Sequence, residues 1–264
     1  MKSLYRIYMM AAAVLMTASC MVEEAGKPNR NEYNIIHYSE NVMGTACVFQ
    51  PVSAVAVARD ADIYLSLSEQ EKEEFDVASL FPGGIRHIDP NTVNIRDMAT
   101  VYSYGTRFSE PGSEWTVKMD APFWYDIPVF IWSYGEYVIR CIAPDTWEIV
   151  SEMSDFGVSK VMRDMSVTVK FSGMEGTEAV YDVVSSGVVV EDGGYEAECG
   201  TGEEGVVLHH DKSLSNNGNL QYDSETMKPY GGGFEVRMYK DGQMLDFCNI
   251  TYDQGNTSYV TSLY

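Results

Sequence analysis

Basic charge is what this chain has least of: 18 lysines and arginines stand against 39 aspartates and glutamates in 264 residues. The resulting net charge of −21 repels phosphate backbones and anionic headgroups, which argues against nucleic acid and anionic lipid surfaces as partners. Metal-ligand spacing is also missing. No two of the five cysteines lie within four residues, and His37, His87, His209 and His210 form no His-Glu-x-x-His pattern. His209 and His210 adjoin Asp211, but neighbours on a strand point to opposite faces, so their imidazoles are expected to diverge. The polar run that begins at Asp211 has its glycine displaced to Gly218. Its twelfth position is Tyr222 where an EF-hand needs a bidentate Glu, so a solvated loop is the better reading. There is no Gly-x-Ser-x-Gly elbow, phosphate loop or dinucleotide fingerprint, and Gly231-Gly232-Gly233 reads as a turn. The expectation is a binding or structural protein, not an enzyme, with no metal and no cofactor.

Long hydrophobic runs are absent too. The apolar stretch Met9–Met16 falls well short of the roughly 20 residues that span a bilayer. Lys2 and Arg6 precede it and small residues follow, the order of a secretory signal. Thr17-Ala18-Ser19-Cys20 resembles the lipobox of bacterial lipoproteins, with Thr17 where Leu is usual. That resemblance implies cleavage before Cys20 and acylation of Cys20, giving a signal peptide over 1–19 and a lipidated tether over 20–32. Glu23 and Glu24 resemble the acidic tether of surface-exposed Bacteroidetes lipoproteins, which implies an outer-membrane, cell-surface address. Cleavage would remove Lys2 and Arg6 and no acid, leaving 16 basic and 39 acidic residues, a charge of −23.

Helix-forming Leu/Ala/Glu/Lys runs are scarce, whereas 18 tyrosines and 22 glycines favour strands and turns. Period-two alternation marks Trp115–Met119, Met165–Phe171 and Phe234–Tyr239. The last of these runs through Asp241-Gly242 into Met244–Ile250, a hairpin signal. Further strands are expected at Cys47–Val57, Asp62–Leu67, Thr92–Tyr104, Ile127–Trp132, Tyr137–Ile142, Val180–Val190, Val206–His209 and Ser258–Tyr264. Ser68-Glu69-Gln70-Glu71 is a capping box that predicts a helix over Lys72–Leu80, and a short helical turn is expected over Ser154–Met162. Short strands separated by turn residues indicate an all-β protein built from antiparallel sandwiches. The polar segment Asp145–Asp155 divides it into an N-terminal domain over 33–150 and a C-terminal domain over 151–264.

Cys47, Cys141, Cys199 and Cys248 remain beyond Cys20. They allow three pairings that sequence does not distinguish; Cys141 and Cys248 also read as small buried hydrophobes, and free buried thiols are expected ahead of disulfides because a body of this size needs no staples. Aromatic residues crowd the stretch from Phe123 to Trp147. If Trp124, Trp132 and Trp147 are exposed, their rings could stack on sugars, the basis of a glycan-binding alternative; the same rings also suit a sandwich core. Val101-Tyr102-Ser103-Tyr104-Gly105 and Ile131-Trp132-Ser133-Tyr134-Gly135 repeat one apolar-aromatic-Ser-Tyr-Gly pattern, read as two strands ending in similar turns.

Val158–Gly173, with Arg163 ahead of alternating Val167 and Val169, resembles a strand pair of fimbrillin-like proteins of Bacteroidetes. The strands Tyr181–Val190 and Gly233–Tyr239 and the Asp241-Gly242 hairpin continue the likeness to the C-terminus. It is similar to the second domain of fimbrial anchor or accessory lipoproteins. The resemblance implies two transthyretin-like sandwiches in tandem and attachment of a surface fibre by strand exchange with pilin subunits. It also offers Arg30 and Arg59 as processing sites, beside the plainer reading of a linker and a surface arginine. Strand exchange suits a sandwich with an open edge, whose N–H and C=O groups await a partner. A lipid on Cys20 would make the chain a membrane-fixed base. The alternative is a surface glycan-binding lipoprotein of a nutrient-uptake system.

Overall fold

The computed structural model describes residues 35–74, 85–95, 99–119, 135–150, 160–191, 194–211 and 227–262. Within them the chain is mostly antiparallel sheet, as its alternation predicts. The strands are β1 (Ile85–Asp89), β2 (Thr92–Ile95), β3 (Ala99–Tyr102), β4 (Glu114–Met119), β5 (Gly135–Ala143), β6 (Thr146–Val150), β7 (Lys160–Glu175), β8 (Glu178–Glu191), β9 (Tyr195–Gly200), β10 (Val206–Asp211), β11 (Met227–Lys240), β12 (Gln243–Asp253) and β13 (Asn256–Thr261). They form one sheet in which each strand from β1 to β8 pairs with the next, and β10 to β13 follow. Local hairpins explain this order, since sequential antiparallel strands need only short turns.

The sheet encloses a helix that the sequence pattern assigns to strands. A π-helical segment (Ser39–Phe49) leads into α1 (Gln50–Ser66), so the expected strands Cys47–Val57 and Asp62–Leu67 are corrected to helix. Pro51 stands in the first turn of α1, where a residue without an N–H donor is tolerated. The run Val52-Ser53-Ala54-Val55-Ala56-Val57-Ala58 is buried at every position, and the helix touches strands from both halves of the sheet. A helix covered all round carries no amphipathic signature. An apolar run of this kind is ambiguous between strand and helix until its surroundings are known.

Polar groups on the buried helix are matched one by one, as burial demands. Gln50 Oε1 accepts from the Tyr137 hydroxyl at 2.6 Å, and Ser53 Oγ donates to the Phe49 carbonyl at 2.9 Å. Asp62 receives Arg107 through Nε at 2.8 Å and Nη2 at 3.0 Å. Arg59 lies 3.5 Å above the Phe171 ring and donates to the Tyr181 hydroxyl at 3.0 Å. A side chain held this way inside a helix is packing, and the processing-site reading of Arg59 is corrected.

The capping box is present: the Ser68 N–H donates to Glu71 Oε2 at 2.7 Å and the Glu71 N–H to Ser68 Oγ at 3.3 Å, opening α2 (Glu69–Glu74). The remainder of the helix expected to Leu80 lies outside the described residues. Of the helical turn expected over Ser154–Met162, the last three residues belong to β7. The strand expected over Ile127–Trp132 lies outside the described residues as well.

The expected domain boundary after residue 150 falls between β6 and β7, which are hydrogen-bonded neighbours with Thr146 opposite Lys170 and Ile149 opposite Val167. One core unites Trp115, Ile139 and Trp147 from the first half with Tyr181, Val236 and Ile250 from the second, around α1. The all-β class holds; the pairing path does not divide into tandem sandwiches. The expectation of free thiols holds for Cys141 and Cys248, which are buried, and is corrected for Cys47 on the π-helical segment and Cys199 on β9, which form a disulfide.

Candidate interaction surface

β13 ends the sheet. It pairs with β12 from Cys248–Thr261 to Asp253–Asn256, and among the described residues no strand pairs with its other side. Five of its six residues are exposed, and Asn256-Thr257-Ser258-Tyr259-Val260-Thr261 contains no charge and no proline. Natural edges are commonly blunted by lysine, proline or a bulge. This edge has none of the first two and keeps an even register. One contact ties it inward: the Tyr259 hydroxyl bonds Glu40 Oε1 on the π-helical segment at 2.5 Å. Burial, with this bond and the Glu40 charge adding, raises the Tyr259 hydroxyl above its ordinary range.

Inward from this edge, beyond β12 and β11, the sheet is interrupted. β9 and β10 both lie between β8 and β11, and together they trace one strand broken by an excursion over Thr201–Gly205. The Thr201 N–H donates to the Ser185 carbonyl at 2.9 Å, the Ser185 N–H donates to Thr201 Oγ1 at 3.0 Å, and the Gly233 N–H donates to the Gly205 carbonyl at 3.1 Å. The crossing is possible because Gly205 and Gly232 have positive φ (+71° and +78°) and their missing Cβ atoms leave room for backbone carbonyls. A depression of about 740 Å³ opens over this glycine floor, rimmed by Glu198, Glu204 and Glu235 with Arg237 among them. Arg237 Nε meets Glu235 Oε1 at 2.5 Å, and that charge followed by the hydrogen bond raises the guanidinium further. The depression continues onto Asn249 and Thr251 of β12, which stand opposite Val260 and Ser258 of β13. The depression thus adjoins β13, with glutamates lining it and no charge on the strand itself.

The residues singled out from sequence fall elsewhere. Cys20, Trp124, Trp132 and Arg30 lie outside the described residues. Trp147 is 0 % exposed: its ring stacks on Phe108 at 4.8 Å and its Nε1–H donates to the Phe108 carbonyl at 3.0 Å. It presents no face to a sugar, so its glycan-binding role is corrected to core packing. His209 and His210 diverge along β10 as expected. Both are buried, His210 fully, and His209 with its Nδ1 2.6 Å from Glu178 Oε2 and its ring 4.3 Å from that of Tyr230. Among the described residues no three His, Cys, Asp or Glu side chains converge as a metal set. The glycine crossing had a faint sequence signal, Thr201-Gly202-Glu203-Glu204-Gly205 between the alternating run Tyr195–Cys199 and the apolar Val206–Leu208, but nothing local pairs it with Gly232. Comparison with known proteins finds no matching family, no matching characterised protein and no matching solved structure.

Proposed function

We propose that this chain is a non-catalytic surface lipoprotein, fixed to the outer membrane through acylated Cys20, that serves as an anchor or accessory subunit of a fibre by accepting an extended strand along β13. The observation that carries this reading is the open, uncharged β13 edge on a chain of charge −21. An incoming strand would find unpaired backbone donors and acceptors there without like-charge repulsion, and main-chain hydrogen bonds supply affinity in strand addition. The resemblance of Val158–Gly173 to fimbrillin-like proteins supports a pilin subunit as the donor.

The test is a pull-down of the intact lipoprotein from its native outer membrane, with mass spectrometry of the partners. Pilin-like chains are expected with the wild type and not with Val260→Lys, which places a charge on an exposed edge position; stability should change by no more than about 0.5 kcal/mol. Absence of pilin-like chains from the wild-type sample, or their equal recovery with Val260→Lys, would refute the proposal.

A further inference from the structure

Away from β13, the outer face of the sheet carries a feature that the strand-acceptor reading does not use. After Tyr102 the chain reverses through Ser103-Tyr104-Gly105-Thr106, closed by the Thr106 N–H donating to the Ser103 carbonyl at 3.1 Å. The two central residues have φ of +54° and +78°, as in a type I′ turn. Gly105 suits this backbone. Tyr104 does not, because Gly, Asn or Asp occupies such a position at least cost and a bulky residue there is strained. Strain of this kind marks a place to look for function.

The Tyr104 side chain is 61 % exposed, yet it is held. Its ring lies at 21° to that of Tyr102 with centroids 6.4 Å apart, and its hydroxyl donates to Thr116 Oγ1 at 3.0 Å. Lys118 Nζ stands 5.8 Å from the centre of the Tyr102 ring and pairs with Glu136 Oε2 at 3.0 Å. An ammonium group has three protons and a carboxylate several lone pairs, so this ion pair leaves both donors and acceptors for a ligand.

We infer that Tyr104 and Tyr102 form a stacking platform for a neutral pyranose sugar, with Lys118 and Glu136 bonding its hydroxyls. An aromatic face buries the apolar C–H face of a sugar ring, and a ring already fixed in place loses little entropy on binding. The strongly acidic chain disfavours polyanionic glycans. This inference stands apart from the proposed strand addition: it uses different residues on a different part of the sheet.

The test is affinity electrophoresis of the mature chain through gels containing amylopectin, laminarin or yeast mannan, with heparin as the polyanionic comparison. Retardation is expected in at least one neutral gel. Tyr104→Asn should weaken it by about tenfold or more, and Tyr104→Phe, which keeps the ring, by no more than about threefold. Asn is at home in the left-handed backbone, so Tyr104→Asn is expected to keep or raise Tm. Failure of all three neutral gels to retard the wild type would overturn the inference, as would retardation by heparin alone. So would undiminished retardation of Tyr104→Asn, or a lower Tm for that variant, which would assign the ring to the turn itself.

Discussion

At the scale of residues, burial decides which polar groups matter to stability. Cys248 is buried in the core, and burial, with Glu40 and Asp246 nearby adding and Ser39 opposing, pushes its thiol up to about 11. Tyr181 is likewise pushed up to about 12 by burial, with Arg59 opposing. Both groups fold in their neutral forms. As pH rises above about 9 the unfolded chain gives up protons that the folded chain retains, so stability present at neutral pH declines towards pH 11. Urea midpoints are expected to hold from pH 7 to about 8.5 and to fall beyond it. Ellman's reagent at pH 8 should find neither Cys141 nor Cys248 in the folded protein, and both after unfolding without reductant. The Arg107–Asp62 pair gives a second contrast. Asp62 is nearly buried, so Arg107→Met leaves a carboxylate without its two-pronged donor and should cost about 1–3 kcal/mol. Arg140 pairs with Glu114 and Glu148 in the open, and Arg140→Met should change stability by no more than about 0.5 kcal/mol. Urea denaturation of the two variants side by side checks this.

At the scale of elements, the crossing of Gly205 and Gly232 is the point of least tolerance. Gly205→Ala would set a Cβ against the Val183 carbonyl in a backbone with φ of +71°. A loss of about 2 kcal/mol or more is expected from clash and strain together. Gly112 has φ of +89° but open space around it, so Gly112→Ala should cost only about 1 kcal/mol, from the backbone alone. Equal melting temperatures for the two variants would show that the crossing is not tightly packed. The central helix has the opposite character. Its small alternating Val and Ala residues let β3, β4, β5 and β7 approach closely, so its stability comes largely from the sheet packed on it.

At the scale of the molecule, the first half contributes the π-helical segment against which β7, β8, β9 and β11 of the second half pack. The Cys47–Cys199 disulfide joins them across 152 residues. Reduction should lower stability by roughly 2–5 kcal/mol through the greater freedom of the unfolded chain. A fragment of residues 151–264 would keep β7–β13 but lose the π-helical segment packed against β7, β8, β9 and β11. It is expected to bind ANS and to lack a cooperative melt. A sharp two-state transition from that fragment would show an independent domain after all.

The amino-acid sequence by itself determined the features whose causes are local. Alternation at Trp115–Met119 and Phe234–Tyr239 predicts strands, Asp241-Gly242 predicts the β11–β12 turn, and Ser68–Glu71 predicts its own capping box, because period and turn chemistry act within a few residues. Only the tertiary structure decided the rest. Cys47–Val57 is rich in β-branched residues and is helical because it is surrounded, and being surrounded is not a property of the segment. Trp147 became core and not surface because Phe108, 39 residues away, covers its face and accepts its N–H. Cys47 found Cys199, Gly205 met Gly232, and β13 was left at the edge for the same reason. Each depends on which distant strands become neighbours, a consequence of the whole chain's burial that no short stretch of sequence encodes.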